Sequence, residues 1–434
     1  MPKRDSDLFE RIDNRTAKVV VVGQGYVGLP IAMRAVEVGF TVVGYETSAS
    51  RVEALAAGRS YVEDISDDAL TAALSAGYVP TRDPLDMRAF DIAIITVPTP
   101  LRDGVPDLSF IESAGRDLRS RLDPGALVVL ESTTYPGTTE ELLRPILEED
   151  GLRAGTDFFL GYSPERIDPG NPVWGFVNTP KVVSGVDEVS CAAVDRFYGT
   201  LVDKTVPVGS TSEAELVKLL ENTFRHVNIA LVNELAMFAR DLDVDIWSAI
   251  DATSTKPFGY MRFTPGPGVG GHCLPIDPSY LAWRVERRLG QRFRFVELAN
   301  DVNSHMPDYV VARASLLLNQ DSRSVRGSRI LLIGLAYKAG TSDWRESPST
   351  PIAEQLVALG AEVRVHDDHI PADASLGFDA VRVPCTQEEI EAADLVVLLV
   401  DHPEVPYDLI AQSGRLVLDT KGTLRGREFR GELL

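Results

Sequence analysis

The chain has 434 residues, enough for two or three domains, and its 44% hydrophobic and 25% charged content is that of a globular protein with sizeable cores. A formal net charge of -21 excludes a surface built to attract nucleic acid or an anionic membrane, so an anionic ligand must be held by local Lys, Arg or helix N-termini. Cys191, Cys273 and Cys385 are too widely spaced for a disulfide framework or a zinc site, and no signal-peptide core or membrane-length apolar run is present. The expectation is a cytoplasmic protein without a metal.

Residues Asp5 to Lys18 read as a short polar helix or arm. Val19–Val22 is a buried strand, followed at once by Gly23-Gln24-Gly25-Tyr26-Val27-Gly28 and an apolar helix from Leu29 to Val38. Strand, G-x-G-x-x-G and helix in that order form a dinucleotide-binding fingerprint. The glycines allow a tight turn and close backbone approach, and the helix N-terminus faces a pyrophosphate. The next strand, Thr41–Tyr45, ends at Glu46, an acid placed to accept from a ribose diol. This favours NAD over NADP, although Arg51 nearby is a residue that could meet a 2′-phosphate. Further strands are predicted at Ile92–Val97, Leu127–Ser132, Phe158–Tyr162, Lys181–Ser184 and Thr205–Val208. The turns Pro98-Thr99-Pro100 and Ser132-Thr133-Thr134-Tyr135-Pro136 leave strand ends and belong to the cofactor crevice. A third turn is Ser163-Pro164-Glu165-Arg166, running on to Gly170.

The pattern then changes to a long helix, Ser212–Leu242, with near-3.6 apolar spacing; Lys218, Asn222 and Arg225 share one of its faces. A solvated polar face is the ordinary reading of such a set. Residues 265–278 (PGPGVGGHCLPIDP) hold four glycines and four prolines and must form a shaped loop. The glycines offer an approach surface free of side chains, ahead of Cys273 and Asp277. An inert buried cysteine in a tight turn is the plain alternative. His272 is read as structural, because neighbours on extended backbone point to opposite sides. Helices are predicted at Tyr280–Leu289, Phe295–Val302 and Pro307–Leu318, with a polar linker over 319–328. A second strand–loop–helix series starts at Arg329–Ile333, continues through Gly334–Lys338 and Ser342–Pro348, and has strands at Glu362–His366, Leu395–Leu399 and Leu416–Asp419. The fold class is α/β: two Rossmann-like domains joined by a central helical section with a long helix, divided as 1–211, 212–318 and 319–434.

Five motifs in this order resemble the nucleotide-sugar 6-dehydrogenases, the family acting on UDP-glucose, UDP-N-acetylglucosamine and UDP-N-acetylmannosamine. They are the G-x-G-Y-V-G-L-P opening, Ser-Pro-Glu-Arg at 163–166, Lys218-x-x-x-Asn222, the Gly270–Pro278 loop, and Tyr337-Lys338 with Asp343-x-Arg345-Glu346-Ser347-Pro348. The resemblance implies oxidation of a hexose C6 alcohol to a carboxylate by two NAD, a UDP-binding C-terminal domain, and pairing into a homodimer or higher homo-oligomer through the central section. It makes Cys273 the nucleophile, Lys218 and Asn222 the groups at the C6 oxyanion, Glu165 the acid/base of thioester hydrolysis and Asp277 an organiser of water. Thr133 lies near cofactor and C6. It also assigns cofactor contacts to Gly23, Gly25, Tyr26, Val27, Gly28, Glu46, Arg51, Pro98, Thr99, Ser132, Thr133 and Arg345. Substrate contacts fall to Glu165, Arg166, Lys218, Asn222, Lys256, Tyr260, Gly270 and Lys338.

Two positions depart from the family pattern: Asp419-Thr420-Lys421-Gly422 has Lys where an arginine is usual, and Glu46 stands for Asp. Similarity of the Arg15–Lys18, Ser163–Gly170 and Lys256–Tyr260 stretches favours UDP-N-acetylglucosamine, with UDP-N-acetylmannosamine and UDP-glucose as alternatives. A two-electron hydroxyacid dehydrogenase would share the N-terminal domain but need neither Cys273 nor the second nucleotide fold. A non-catalytic nucleotide-sugar sensor would tolerate loss of Cys273, Lys218 or Glu165, all of which are present.

Overall fold

The computed structural model describes residues 3–434 apart from Glu63, Asp103, Pro169, Gly170, Pro172, His272, Cys273, Pro275 and Arg345, and apart from the side chains of residues 3–6. The backbone divides into two compact units: Met1–Glu221 with Ser279–Gly290, and Asn222–Pro278 with Gln291–Leu434.

In the first unit, apolar runs such as Val19–Val22 and Ile92–Ile95 are buried on both faces, as strands of a parallel sheet covered by helices must be. Eight strands lie in the order Thr205–Pro207, Lys181–Gly185, Phe159–Tyr162, Leu127–Leu130, Ile92–Ile95, Lys18–Val22, Thr41–Tyr45, Tyr78–Thr81. All neighbours run parallel except Phe159–Tyr162 and Lys181–Gly185. The chain order reverses between Lys18–Val22 and Ile92–Ile95, and a crevice opens beyond the carboxyl ends of these two strands. The N-terminal segment, read as a short polar helix or arm, is a docked helix, Lys3–Asp13. Leu8 and Ile12 are fully buried in the sheet's core, and the Phe9 ring stacks on Phe159 with centroids 6.3 Å apart.

The second unit carries a six-stranded, all-parallel sheet in the order Val381–Arg382, Glu362–His366, Arg329–Ile333, Leu395–Leu398, Leu416–Asp419, Gly431–Leu433. Its reversal falls between Arg329–Ile333 and Leu395–Leu398, directly before the Gly334 turn. The long helix spans Thr211–Asp241, and a helix over Ile246–Ser254, capped by Asp245, follows it. The helices predicted at Phe295–Val302 and Pro307–Leu318 are one helix, Arg294–Gln320, running through Pro307. Proline leaves the carbonyl four residues earlier without its usual donor, which is the cost of continuing. That carbonyl, Asn303 O, stands beside the Cβ position of Gly268, while Val302, Asn303, Met306 and Pro307 are buried and hold the helix together. No helix among the described residues is long and apolar enough to cross a membrane.

Candidate active site

The first strand turns at Gly23 with φ +93°, and a Cβ there would stand 2.6 Å from the Thr96 carbonyl oxygen. A Cβ on Gly28 would meet the Gly23 carbonyl oxygen at 1.9 Å, so this glycine lets the helix Gly28–Glu37 close onto its strand. At Gly25 a Cβ would meet nothing within 4 Å, which leaves its backbone approachable. The first turn of the helix that follows Val27 carries no acid, so its positive end is uncompensated by side chains and suits a pyrophosphate. Glu46 is 7% exposed and engaged on both oxygens, accepting from the Gln24 N–H (3.3 Å) and the Ser48 N–H (3.0 Å). Arg51 lies 3.5 Å from the Glu46 carboxylate and 5.2 Å from the Tyr61 ring centroid, drawn toward an acid that disfavours a 2′-phosphate. Tyr61 donates to the Gln24 carbonyl, and its hydroxyl pKa is pushed up to about 12 by burial and by Glu46. A cavity of about 320 Å³ lies against Gly25, Tyr26, Ser50, Arg51 and Tyr61. These residues fit NAD.

The neighbouring turns are tied down by side chains that sequence reading did not single out. Ser132 Oγ donates to the Val97 carbonyl (2.8 Å), linking the Thr133 turn to the turn of exposed Pro98 and half-buried Thr99. The Tyr280 hydroxyl donates to the Thr99 carbonyl at 2.8 Å. Glu215, fully buried on the long helix, accepts from the Gly137 and Thr139 N–H groups and the Thr139 hydroxyl just past the Thr133 turn.

Lys218, three residues beyond Glu215, places Nζ 3.6 Å from Glu165 Oε2, with side chains 8% and 13% exposed. Glu165 Oε1 also accepts from the Ile167 N–H. Arg166 forms a forked pair with Glu221 and donates to the Pro180 carbonyl, which gives it a structural set of partners rather than an open guanidinium. In the second unit Asn222 Nδ2 donates to Asp277 Oδ2 at 2.5 Å, both residues buried. Cys273, His272 and Arg345 lie outside the described residues.

The loop before Cys273 corrects the reason given for its glycines. A Cβ on Gly268 would stand 2.9 Å from Pro348, on Gly270 2.6 Å from the Glu346 carbonyl oxygen, and on Gly271 3.0 Å from the Tyr337 ring. Gly271 also donates to the Glu346 carbonyl at 3.0 Å. At these positions glycine is required by close packing on the 337–348 segment, not by an open approach surface. Asn233 completes the hold: it accepts from the Gly266 N–H and donates to Asn303, each at 2.9 Å. Lys338 is half-buried after the Gly334 turn, and Lys421 lies 3.7 Å from Asp401. Lys256 is exposed with its ammonium 4.9 Å from the Phe258 ring, and Tyr260 is half-buried.

Three family models match in order: the UDP-glucose/GDP-mannose dehydrogenase family's NAD binding domain over residues 17–202, its central domain over 212–305 and its UDP binding domain over 331–426. The chain is 34% identical to a UDP-N-acetyl-D-mannosamine dehydrogenase of Pyrococcus horikoshii, over 95% of this chain and 98% of that one. It is 35% identical to a UDP-N-acetyl-D-glucosamine 6-dehydrogenase of Pseudomonas aeruginosa, over 89% and 91%. A solved UDP-D-ManNAc dehydrogenase from Pyrococcus horikoshii superposes with a TM-score of 0.85, covering 95% of this chain and 98% of that chain. With the crevice shaped for NAD and the match running through all three sections, the chain belongs to the UDP-glucose/GDP-mannose dehydrogenase family and is an NAD-dependent nucleotide-sugar dehydrogenase.

Proposed function

We propose that the chain oxidises the C6 hydroxyl of UDP-N-acetylglucosamine to the carboxylate in four electrons, through a covalent adduct on Cys273. The observation that carries this reading is the Lys218–Glu165 pair, a buried cation and a half-buried acid/base group 3.6 Å apart. NAD, when bound, supplies the hydride acceptor for both oxidations. The first oxidation leaves an aldehyde, and the Cys273 thiolate forms a C–S bond to its carbon. Lys218 stabilises the charge that develops on the C6 oxygen, an interaction stronger in the transition state than in the ground state. A thiol is needed because it turns aldehyde oxidation into hydride loss from a tetrahedral thiohemiacetal, leaving a thioester. Water then adds to the thioester carbon, Glu165 takes its proton, the C–S bond breaks and the thiolate leaves. The Asn222–Asp277 pair, whose acid is four residues past Cys273, orients the amide at C6 and the attacking water. Lys338 holds the diphosphate. The working unit is a homodimer or higher homo-oligomer.

A UDP-N-acetylhexosamine is supported by the names of the similar proteins, and the glucosamine form by the family resemblance of the stretches Arg15–Lys18, Ser163–Gly170 and Lys256–Tyr260. A second reading, UDP-N-acetylmannosamine, is favoured by the likeness to the Pyrococcus horikoshii enzyme along 95% of the chain. A silent sensor is not supported, since Lys218, Glu165, Asn222 and Asp277 are all retained in paired settings. NADH counted at completion across a panel of UDP-hexoses tests the proposal: two per sugar, with the highest kcat/KM for UDP-N-acetylglucosamine. One NADH per sugar would reduce the chain to an alcohol dehydrogenase, and a better UDP-N-acetylmannosamine rate would reverse the sugar assignment. Cys273→Ala should still bind both ligands by calorimetry and form no acid.

A further inference from the structure

Among the described residues, a charged pair deep in the first unit is not used by the chemistry above. Lys181 opens its strand at 5% exposure, and Glu131, just past Leu130, is 1% exposed. The Lys181 ammonium bonds one Glu131 oxygen, and the fully buried Tyr198 hydroxyl donates to the other. Lys181 Nζ also donates to the Pro164 carbonyl at 3.0 Å, with the Tyr198 and Phe176 ring centroids at 5.1 and 5.8 Å. Burial pushes the Glu131 carboxyl upward, Lys181 and the hydrogen bond from Tyr198 pull it back, and Glu165 adds a further upward push. Taking two charges out of water is an expensive way to hold a sheet together, and a hydrophobic pair of similar volume often does as well.

The place of the pair in the chain suggests its purpose. Pro164 immediately precedes Glu165, and Glu131 is two residues before Thr133. Each residue flanking Glu165 is fastened to the segment 180–182: Ser163 Oγ to the Val182 carbonyl (2.7 Å), the Pro164 carbonyl to Lys181, and Arg166 Nη1 to the Pro180 carbonyl (2.6 Å). The Glu165 carboxylate, between them, is left to meet Lys218. We infer that Lys181 is a positioning residue, a buried cation joining the Glu165 loop to the Thr133 turn so that Glu165 is aimed for thioester hydrolysis. This rests on the role given to Glu165 above.

The test uses the full-length protein with NAD and the UDP-hexose that gives the highest rate. Thermal midpoint, steady-state kcat and KM, and the rapid-mixing NADH burst are measured. The double variant Lys181→Met/Glu131→Gln leaves no lone buried charge, Lys181→Arg keeps a cationic donor, and Glu165→Gln is the reference. A misaimed Glu165 slows the last step after both hydrides have left. The ratio of burst rate to kcat should therefore rise about tenfold or more in Glu165→Gln and in the double variant, a barrier change of about 1.4 kcal/mol. KM should fall in step with kcat, leaving kcat/KM and the thermal midpoint close to wild type, and Lys181→Arg should largely restore the ratio. A merely structural pair would lower burst amplitude and turnover together, leaving the ratio unchanged, and that result overturns the inference. So does failure of the double variant to fold. If Glu165→Gln leaves the ratio unchanged, the reading of Glu165 fails instead.

Discussion

Lys218 and Lys338 are both cations in a chain of net charge -21, where nonspecific attraction cannot recruit a diphosphate, and the proposed function gives them different work. Lys218 is 7% exposed and held beside Glu165, so its charge is fixed before any substrate arrives, which is what stabilisation of a developing oxyanion requires. Lys338 is half-buried after the first turn of the second sheet, a position for binding an anion. Lys218→Ala should lower kcat roughly 10²- to 10³-fold with a small change in KM, as removal of one oxyanion donor does. Lys338→Ala should mainly raise KM for the UDP-sugar. Steady-state kinetics at saturating NAD separates the two, and a Lys218→Ala defect confined to KM would make that residue a holding group. At this scale the sequence named residue types well and partners poorly: the fork of Arg166 with Glu221, 55 residues away, is visible only in the fold.

The long helix Thr211–Asp241 does more than carry Lys218. One turn earlier, Glu215 turns its carboxylate to the Gly137 and Thr139 amides and so anchors the segment that follows the Thr133 turn. Burial pushes its pKa up to about 7, against the pull of those donors and with a smaller push from Glu140. A folded-state pKa raised above the ordinary 4.5 means that the native state binds the proton more tightly than the unfolded chain does. The stability this group contributes is therefore present below about pH 4.5 and lost as pH rises through about 7, up to about 3 kcal/mol in all. Urea unfolding at pH 5 and pH 8 should show that decline in the wild type, and a flatter slope in Glu215→Gln whatever its absolute stability. An equal decline in the variant would assign it to other groups. The helix Arg294–Gln320 teaches a related point. Pro307 reads locally as a break, yet buried residues on both sides of it carry the helix through.

For the molecule as a whole, the long helix leaves an apolar residue exposed at almost every turn: Leu216, Leu220, Phe224, Leu231, Leu235 and Phe238, continued just past its end by Leu242, with Leu220 at 60% and Leu242 at 71%. A stripe of this length on a 31-residue helix is too large to leave in water. Light scattering at micromolar concentration should give at least twice the chain mass of 47.4 kDa, through an interface of about 2,000 Å² or more. Because two chains of charge -21 repel, association should strengthen with added salt, and Phe238→Glu should weaken it; a monomer at all salt concentrations would contradict the assignment. The sequence by itself determined both strand–turn–helix openings, an acid at the end of the second strand, the long helix and the family, because turn chemistry, hydrophobic period and ordered motifs are local properties of the chain. Only the tertiary structure decided that Glu131 meets Lys181 across 50 residues, that Gly268, Gly270 and Gly271 are packed against the 337–348 segment, and that Glu215 holds a turn far from it in sequence. An acid at the end of an apolar strand is visible in a sequence; the cation that makes its burial tolerable is set by the order in which strands lie side by side.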